Sequence, residues 1–363
     1  MARGTRLELR PEALAANARR VRAFAPDARV YAMVKADAYG HGLALAGEAL
    51  APEVDGLGVA VLHEAAALRT RGYPGALMVL EGVFDSTELA EAARLELEVV
   101  IHAEWQLALL ENDPRPLRVW LKVNTGMHRL GVPADQVPAL LQRLDALDGV
   151  CVEGLMTHFA CADQDDDPMT ARQSGTITAL AREYARRFSA ANSAAVIRYP
   201  ESHGALVRPG IMLYGSSPFP GRSAAELELA VTQRFTAPVI AINDVPAGED
   251  VGYGATWRAP RDSRIGVVAV GYGDGYPRHA PSGTPVAVNG RRTELAGRVS
   301  MDMITVDLTD LPDAGVGDEV ELWGDAVAVD EVAAASGTIS YELFCQITPR
   351  VERVISPPDE STD

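Results

Sequence analysis

Cysteine is scarce in this chain: Cys151, Cys161 and Cys345 are the only three in 363 residues, and their spacing forms no pair. A disulfide framework is therefore not expected, and free thiols in a reducing compartment are. Positive charge is also short. The 33 Lys and Arg against 50 Asp and Glu leave a formal charge of −17, which argues against a nucleic-acid partner. No window approaches about 18 uncharged apolar residues, so no membrane span is expected. The opening Met-Ala-Arg-Gly-Thr-Arg-Leu-Glu lacks the apolar stretch of a signal peptide, and a cytoplasmic protein is the expectation. Internal repeats and low-complexity segments are absent. The 47% hydrophobic and 23% charged content is ordinary for a soluble globular protein, long enough for two domains or a barrel with an appendage.

Metal ligation finds little support. Asp163-Gln-Asp-Asp-Asp167 before Pro168 lacks the spacing and glycine of a calcium loop and reads as a solvated loop leading into a helix. His63, His102, His203 and His279 show no ligand spacing. No metal is expected.

A βα rhythm is present. After a short strand at 7–9 and a helix at 11–24, strand-like runs occur at 30–34, 56–60, 77–80, 98–101, 118–123, 152–156, 195–199 and 206–214. Most are separated by Ala- and Leu-rich helical stretches, among them 62–71, 86–95, 103–111 and 138–147. The pattern predicts an α/β fold with an N-terminal (β/α)8 TIM-like barrel, an open doubly wound sheet being the alternative. A helical patch at 223–229 ends this region. Beyond it come short alternating strands at 235–242, 265–269, 285–288, 293–295, 304–308 and 319–323, with Asn289-Gly290 as a type I′ hairpin signal. Helices are expected at 329–336 and 341–347, and a disordered tail at 357–363. The domains are accordingly 1–225, the barrel, and 226–363, an all-β domain with which the strand at about 6–10 could pair.

A barrel of this kind carries functional residues just after its strands. Lys35 stands at the end of the 30–34 run, before Gly40 and Gly42 break the chain. It is either a solvated strand end or an amine in an apolar mouth, with a lowered pKa, able to condense with a carbonyl cofactor. Tyr39 could offer a hydroxyl to a phosphate from the same loop. Asn124 to Arg129 follow the fifth run, His158 the sixth, and Arg208-Pro-Gly-Ile211 lies in the eighth. Asn192 and Ser193 precede the 195–199 run and so fall outside the rule.

The segment Val-Tyr-Ala-Met-Val-Lys35-Ala-Asp-Ala-Tyr39-Gly-His-Gly closely resembles the pyridoxal-lysine segment of alanine racemases. Further motifs follow in that family's order: Lys122-Val-Asn-Thr-Gly-Met-His-Arg129, Arg208-Pro-Gly-Ile, Gly252-Tyr253-Gly, Gly271-Tyr272-Gly-Asp-Gly-Tyr-Pro-Arg and Gly297-Arg-Val-Ser-Met301-Asp302-Met. The resemblance implies a PLP-dependent alanine racemase that interconverts L- and D-alanine and supplies D-alanine for peptidoglycan. A racemase of broader specificity and a PLP decarboxylase of the same architecture are the alternatives. It implies pyridoxal 5′-phosphate on Lys35, with Tyr253 as the second acid/base on the opposite face. Arg129 and the Met301 amide would bind substrate, and Lys122, often carbamylated in the family, would brace Arg129. Tyr39, His158, Asn192, Ser193, Arg208, Gly210 and Ile211 would hold the cofactor, with His158 linked to Arg208. Tyr272 would line the entrance, and Asp302 belongs to the Gly297–Met303 motif beside Met301. A homodimer with shared active sites is implied. Two positions depart from the common family pattern: Asn124 stands where aspartate is frequent, and Pro349 where some racemases place a phosphate-capping tyrosine. Gly271 to Arg278 is not a dinucleotide fingerprint, because Pro277 forbids the helix that must follow it.

Overall fold

The computed structural model describes residues 3–165 and 167–357; Asp166 and most of the 357–363 tail lie outside the described residues. Two compact units emerge, residues 14–230 and residues 1–13 with 231–363.

The first strand, β1 (Arg6–Leu9), belongs to the second unit and is followed by the helix Pro11–Phe24. The first unit is built on β2 (Arg29–Met33), β3 (Gly56–Val59), β4 (Ala76–Val79), β5 (Glu98–Ile101), β6 (Leu117–Lys122), β7 (Val150–Met156), β8 (Phe188–Ser189) and β9 (Leu206–Val207). They form one parallel sheet of eight strands in the order β8-β7-β6-β5-β4-β3-β2-β9. Across the seam, Ala205 N donates to Phe188 O and Arg208 N to Ala191 O, both at 2.9 Å, so the sheet closes on itself. This is the expected barrel. Its core strands are apolar on both faces because helices cover the outside and side chains fill the inside. The floor is polar: Glu98, at the start of β5, is 2% exposed and accepts from Tyr31 Oη at 2.6 Å and Trp120 Nε1 at 2.8 Å.

Three local expectations are corrected. Residues 195–199 are not a strand; they lie in and just past the helix Ser193–Arg198, whose first turn is capped by Asn192 Oδ1 accepting from Ala195 N at 3.1 Å. The seventh strand is instead the two-residue β8, too short to leave a periodic signal. With it in place, Asn192 and Ser193 do follow a strand. The eighth run keeps only β9, because Pro209 and Gly210 end it before a 3₁₀ turn at Ile211–Tyr214. The patch at 223–229 holds one 3₁₀ turn, Ala225–Leu227.

The second unit contains β10 (Gln233–Val245), the hairpin β11 (Asp250–Val251) and β12 (Trp257–Arg258), β13 (Ser263–Val268), β14 (Pro285–Val288), β15 (Arg291–Glu294), β16 (Ile304–Asp307), β17 (Glu319–Trp323) and β18 (Glu352–Ile355). β1 pairs antiparallel with β10 and parallel with β18. Asn289 and Gly290, at φ 48° and 75°, join β14 to β15 as the turn signal required. Helices Val329–Ala335 and Ser340–Gln346 complete the unit.

Candidate active site

The rim of the barrel at the C-terminal ends of its strands collects Lys35, Tyr39, Lys122, Arg129, His158, Asn192, Ser193, Arg208, Gly210 and Ile211. Lys35 opens an unusual turn. Ala36, Asp37, Ala38 and Tyr39 all take left-handed backbone angles, with φ between 52° and 54°. That conformation crowds any residue with a Cβ, so the surroundings must hold it. They do so at several points. Asp37 Oδ1 accepts from Leu43 N at 2.7 Å, and the Tyr39 ring stacks on Tyr214 with centroids 4.5 Å apart. Tyr214 in turn donates its hydroxyl to Met33 O at 2.8 Å. A Cβ at Gly210 would lie 2.5 Å from the Tyr39 hydroxyl oxygen, so only glycine lets the two loops approach.

Ser193 joins the cradle. Its Oγ accepts from Gly210 N at 2.9 Å and Met212 N at 3.4 Å, which leaves its own proton to donate elsewhere. The Gly210 amide, expected to face a phosphate directly, is thus engaged with serine.

Arg208 is 4% exposed and donates to Ser189 Oγ, to Thr157 O at 2.6 Å and to His158 Nδ1 at 3.4 Å. Burial pulls its pKa down to about 10, so it remains charged at neutral pH. His158 is held well below the ordinary imidazole value, first by desolvation and then by Arg208, Arg129, Lys122 and Lys35. It is neutral at pH 7. An arginine can only donate, so Nδ1 accepts and the ring proton sits on Nε2. Lys122, 8% exposed, is lowered to about 8 by burial and by the charges of Arg208, Arg129 and Lys35. A strongly acidic chain sets four cations, Lys35, Lys122, Arg129 and Arg208, at one mouth, an arrangement suited to anionic groups.

The β6 loop shows how Asn124 acts. Its Oδ1 accepts from Gly126 N and His128 N at 3.1 Å each, and its Nδ2 meets His128 Nδ1 at 3.0 Å. An aspartate could accept the same amides, so asparagine preserves the turn and forgoes the charge. Sequence reasoning missed Gln173. Fully buried, it donates to Thr125 Oγ1 at 3.1 Å and His158 O at 2.9 Å and accepts from Ala160 N at 2.9 Å, tying the Arg129 and His158 loops together. A glutamine inside an amphipathic helix leaves no distinctive pattern.

The second unit holds Tyr253, Tyr272, Met301 and Asp302. Tyr253 is 70% exposed at the tip of the β11–β12 hairpin, between Gly252 and Gly254 at φ 78° and 74°. Tyr272 and Met301 share one substructure: Tyr272 N donates to Ser300 O at 3.1 Å and Gly273 N to Met301 O at 2.8 Å. Asp274, fully buried, receives both arms of Arg3 at 2.5 and 2.9 Å, and Arg350 donates to Asp302 at 2.8 Å. Neither Arg3 nor Arg350 was singled out from sequence.

Residues 9–218 match the family model of the alanine racemase N-terminal domain, and residues 232–355 that of the C-terminal domain. An alanine racemase of Alcanivorax borkumensis is 60% identical over 353 residues, 97% of this chain and 99% of its own length. One from Halorhodospira halophila is 48% identical, with both chains covered completely. Among solved structures, the biosynthetic alanine racemase of Pseudomonas aeruginosa superposes with a TM-score of 0.94 at 46% identity, covering 98% of this chain and 100% of its own. Both domain models in order, relatives matched end to end and a shared fold lead to one conclusion: the chain belongs to the alanine racemase family of isomerases.

Proposed function

We propose that this protein interconverts L- and D-alanine with pyridoxal 5′-phosphate, Lys35 and Tyr253 moving the proton on opposite faces, and that it supplies D-alanine for peptidoglycan. The observation that carries the cofactor reading is the rim itself: a lysine at a strand end, ringed by cations, beside a glycine so close to a tyrosine hydroxyl that no Cβ fits. The donor set fits the group. Ser193, with both lone pairs occupied by amides, has its proton to give to a phosphate, and Tyr39 and the Ile211 amide complete the cradle with Asn192 fixing the loop. Arg208 would hold the pyridine nitrogen, and an arginine can only donate there. When bound, the cofactor supplies the carbonyl for the substrate amine and a ring that spreads charge during Cα–H cleavage. By donating without protonating, Arg208 would limit how far charge spreads and so favour prompt reprotonation over side reactions.

Lys35 Nζ takes or returns the proton on one face. Tyr253 serves the other face, where an ordinary phenol is a poor base at neutral pH. In the proposed arrangement the His158 Nε2–H, polarised by Arg208, donates toward the phenolic oxygen and orients it for proton transfer. Arg129 and the Met301 amide orient the substrate carboxylate, Lys122 braces Arg129, Tyr272 borders the entrance, and Asp302 next to Met301 is held by Arg350. Tyr253 stands exposed on its hairpin, which supports a homodimer in which one protomer's β domain covers its partner's barrel. No described helix is long and apolar enough to cross a membrane. A coupled assay for D-alanine formed from L-alanine tests the reading; release of CO2 without D-alanine would replace it with the decarboxylase.

A further inference from the structure

The left-handed turn after Lys35 needs an external partner for its first amide, and it has one. Glu64, in the helix Leu62–Thr70 and 8% exposed, accepts from Ala36 N with Oε1 at 2.7 Å. Its Oε2 accepts from Ala60 N at 2.8 Å and Val61 N at 3.4 Å, in the loop after β3. A helix-capping glutamate needs only the second of these contacts. The first reaches back to the loop after the neighbouring strand β2 and holds the residue bonded to Lys35. Ala36 is also where the strained backbone begins, with φ 54° and ψ 54°. One carboxylate therefore locks the ends of β2 and β3 together at the point where the amine leaves the sheet.

We propose that Glu64 is a positioning residue for Lys35, holding the Ala36 amide so that the left-handed turn, and with it the amine, is set before cofactor arrives. The role needs two acceptor oxygens. Glutamine keeps one acceptor and turns an NH2 toward the other amide, so it can serve the helix cap or Ala36, not both. This inference rests on the reading of Lys35 as the cofactor lysine, and the experiment separates the two.

Amide hydrogen exchange of residues 34–43 is followed in the cofactor-free wild type, Glu64→Gln and Glu64→Ala, together with PLP affinity and the pH dependence of the bound cofactor's absorbance. The expected result for Glu64→Ala is exchange at least tenfold faster in 34–43 with strand β5 unchanged, PLP affinity at least tenfold weaker, and a shifted absorbance titration. Glu64→Gln should fall between the two, and it decides the matter in the same way if the alanine variant does not fold. Unchanged exchange in 34–43, or faster exchange with wild-type affinity and titration, would overturn the proposal. Wild-type protein that takes up no PLP would instead overturn the Lys35 reading, irrespective of the exchange result.

Discussion

Arg208 and His158 meet donor to acceptor, Nη2 to Nδ1, at 3.4 Å. The pair fixes both the tautomer and the charge of the histidine, since a protonated ring would set its Nδ1–H against the guanidinium. The folded-state pKa of His158 lies well below 6.5, lowered by desolvation and then by Arg208, Arg129, Lys122 and Lys35. Below pH 6.5 the unfolded chain therefore binds a proton that the folded protein refuses. Stability contributed by this group is present above 6.5 and declines as pH falls toward the folded pKa. Between pH 7 and 5 the wild type should therefore lose more stability than His158→Gln. Urea denaturation of the cofactor-free proteins at both pH values measures the difference; parallel losses would show that His158 ionises freely in the fold.

Lys35→Ala should remove racemisation, with a loss of at least about a thousandfold, and abolish the near-visible absorbance of covalently held cofactor. The fold should persist, because Lys35 is only half-buried at the rim of the barrel. Retained absorbance in folded mutant protein would move the cofactor to another amine.

Much of this arrangement was legible in the chain because it rests on local chemistry. Lys35 ends an apolar run and Asn289-Gly290 can only be a tight hairpin; Gly271, Gly273 and Gly275 show in the chain only as a motif, and segments distant in sequence supply the close approach that requires them. A Cβ at Gly271 would meet Ser300 O at 2.3 Å and one at Gly275 would meet Gln346 O at 2.4 Å. What stayed hidden depends on partners distant in sequence. β8 is too short to carry a period, so its place was given to a capped helix. Glu64 looks like an ordinary helix cap until Ala36 is folded against it. Gln173 and Arg3 gain their meaning only from loops far along the chain. Polar residues that brace a site have no fixed spacing from the residues they brace.

Lys122 should carry a carbamate. At a pKa of about 8 roughly one amine in ten is neutral at pH 7, enough to react with CO2. The unmodified cation faces Arg208, Arg129 and Lys35, whereas a carbamate reverses its sign and attracts all three. Equilibration with ¹³CO2 should give a slowly exchanging carbamate resonance that Lys122→Ala lacks. A bound chloride with no such resonance would show that an ion neutralises the cluster.

Asp274→Asn should loosen the loop that carries Met301. The buried carboxylate accepts from both Arg3 nitrogens and from Gly271 N at 2.9 Å, and Arg350 Nε lies 3.4 Å away. Removing its charge weakens the hydrogen bonds to these part-exposed cations, at a cost of about 1–2 kcal/mol in stability. If the Met301 amide binds the substrate carboxylate, KM for alanine should rise severalfold while kcat changes less. A fall in kcat alone would point away from substrate binding at this loop.

The last prediction concerns assembly. Tyr253 sits exposed at a hairpin tip in one unit, whereas Lys35 sits at the rim of the other. If each β domain closes its partner's barrel, two inactive variants can restore one another. Lys35→Ala and Tyr253→Ala are mixed under conditions that allow subunit exchange. Each heterodimer then contains one site with both lesions and one with neither, because a two-fold interface pairs residue i with j and j with i. With equal amounts of the two chains, about half of the dimers are mixed, and about a quarter of all sites should regain wild-type activity. Native mass spectrometry establishes that exchange has occurred. Heterodimers without activity would place Tyr253 over the lysine of its own chain.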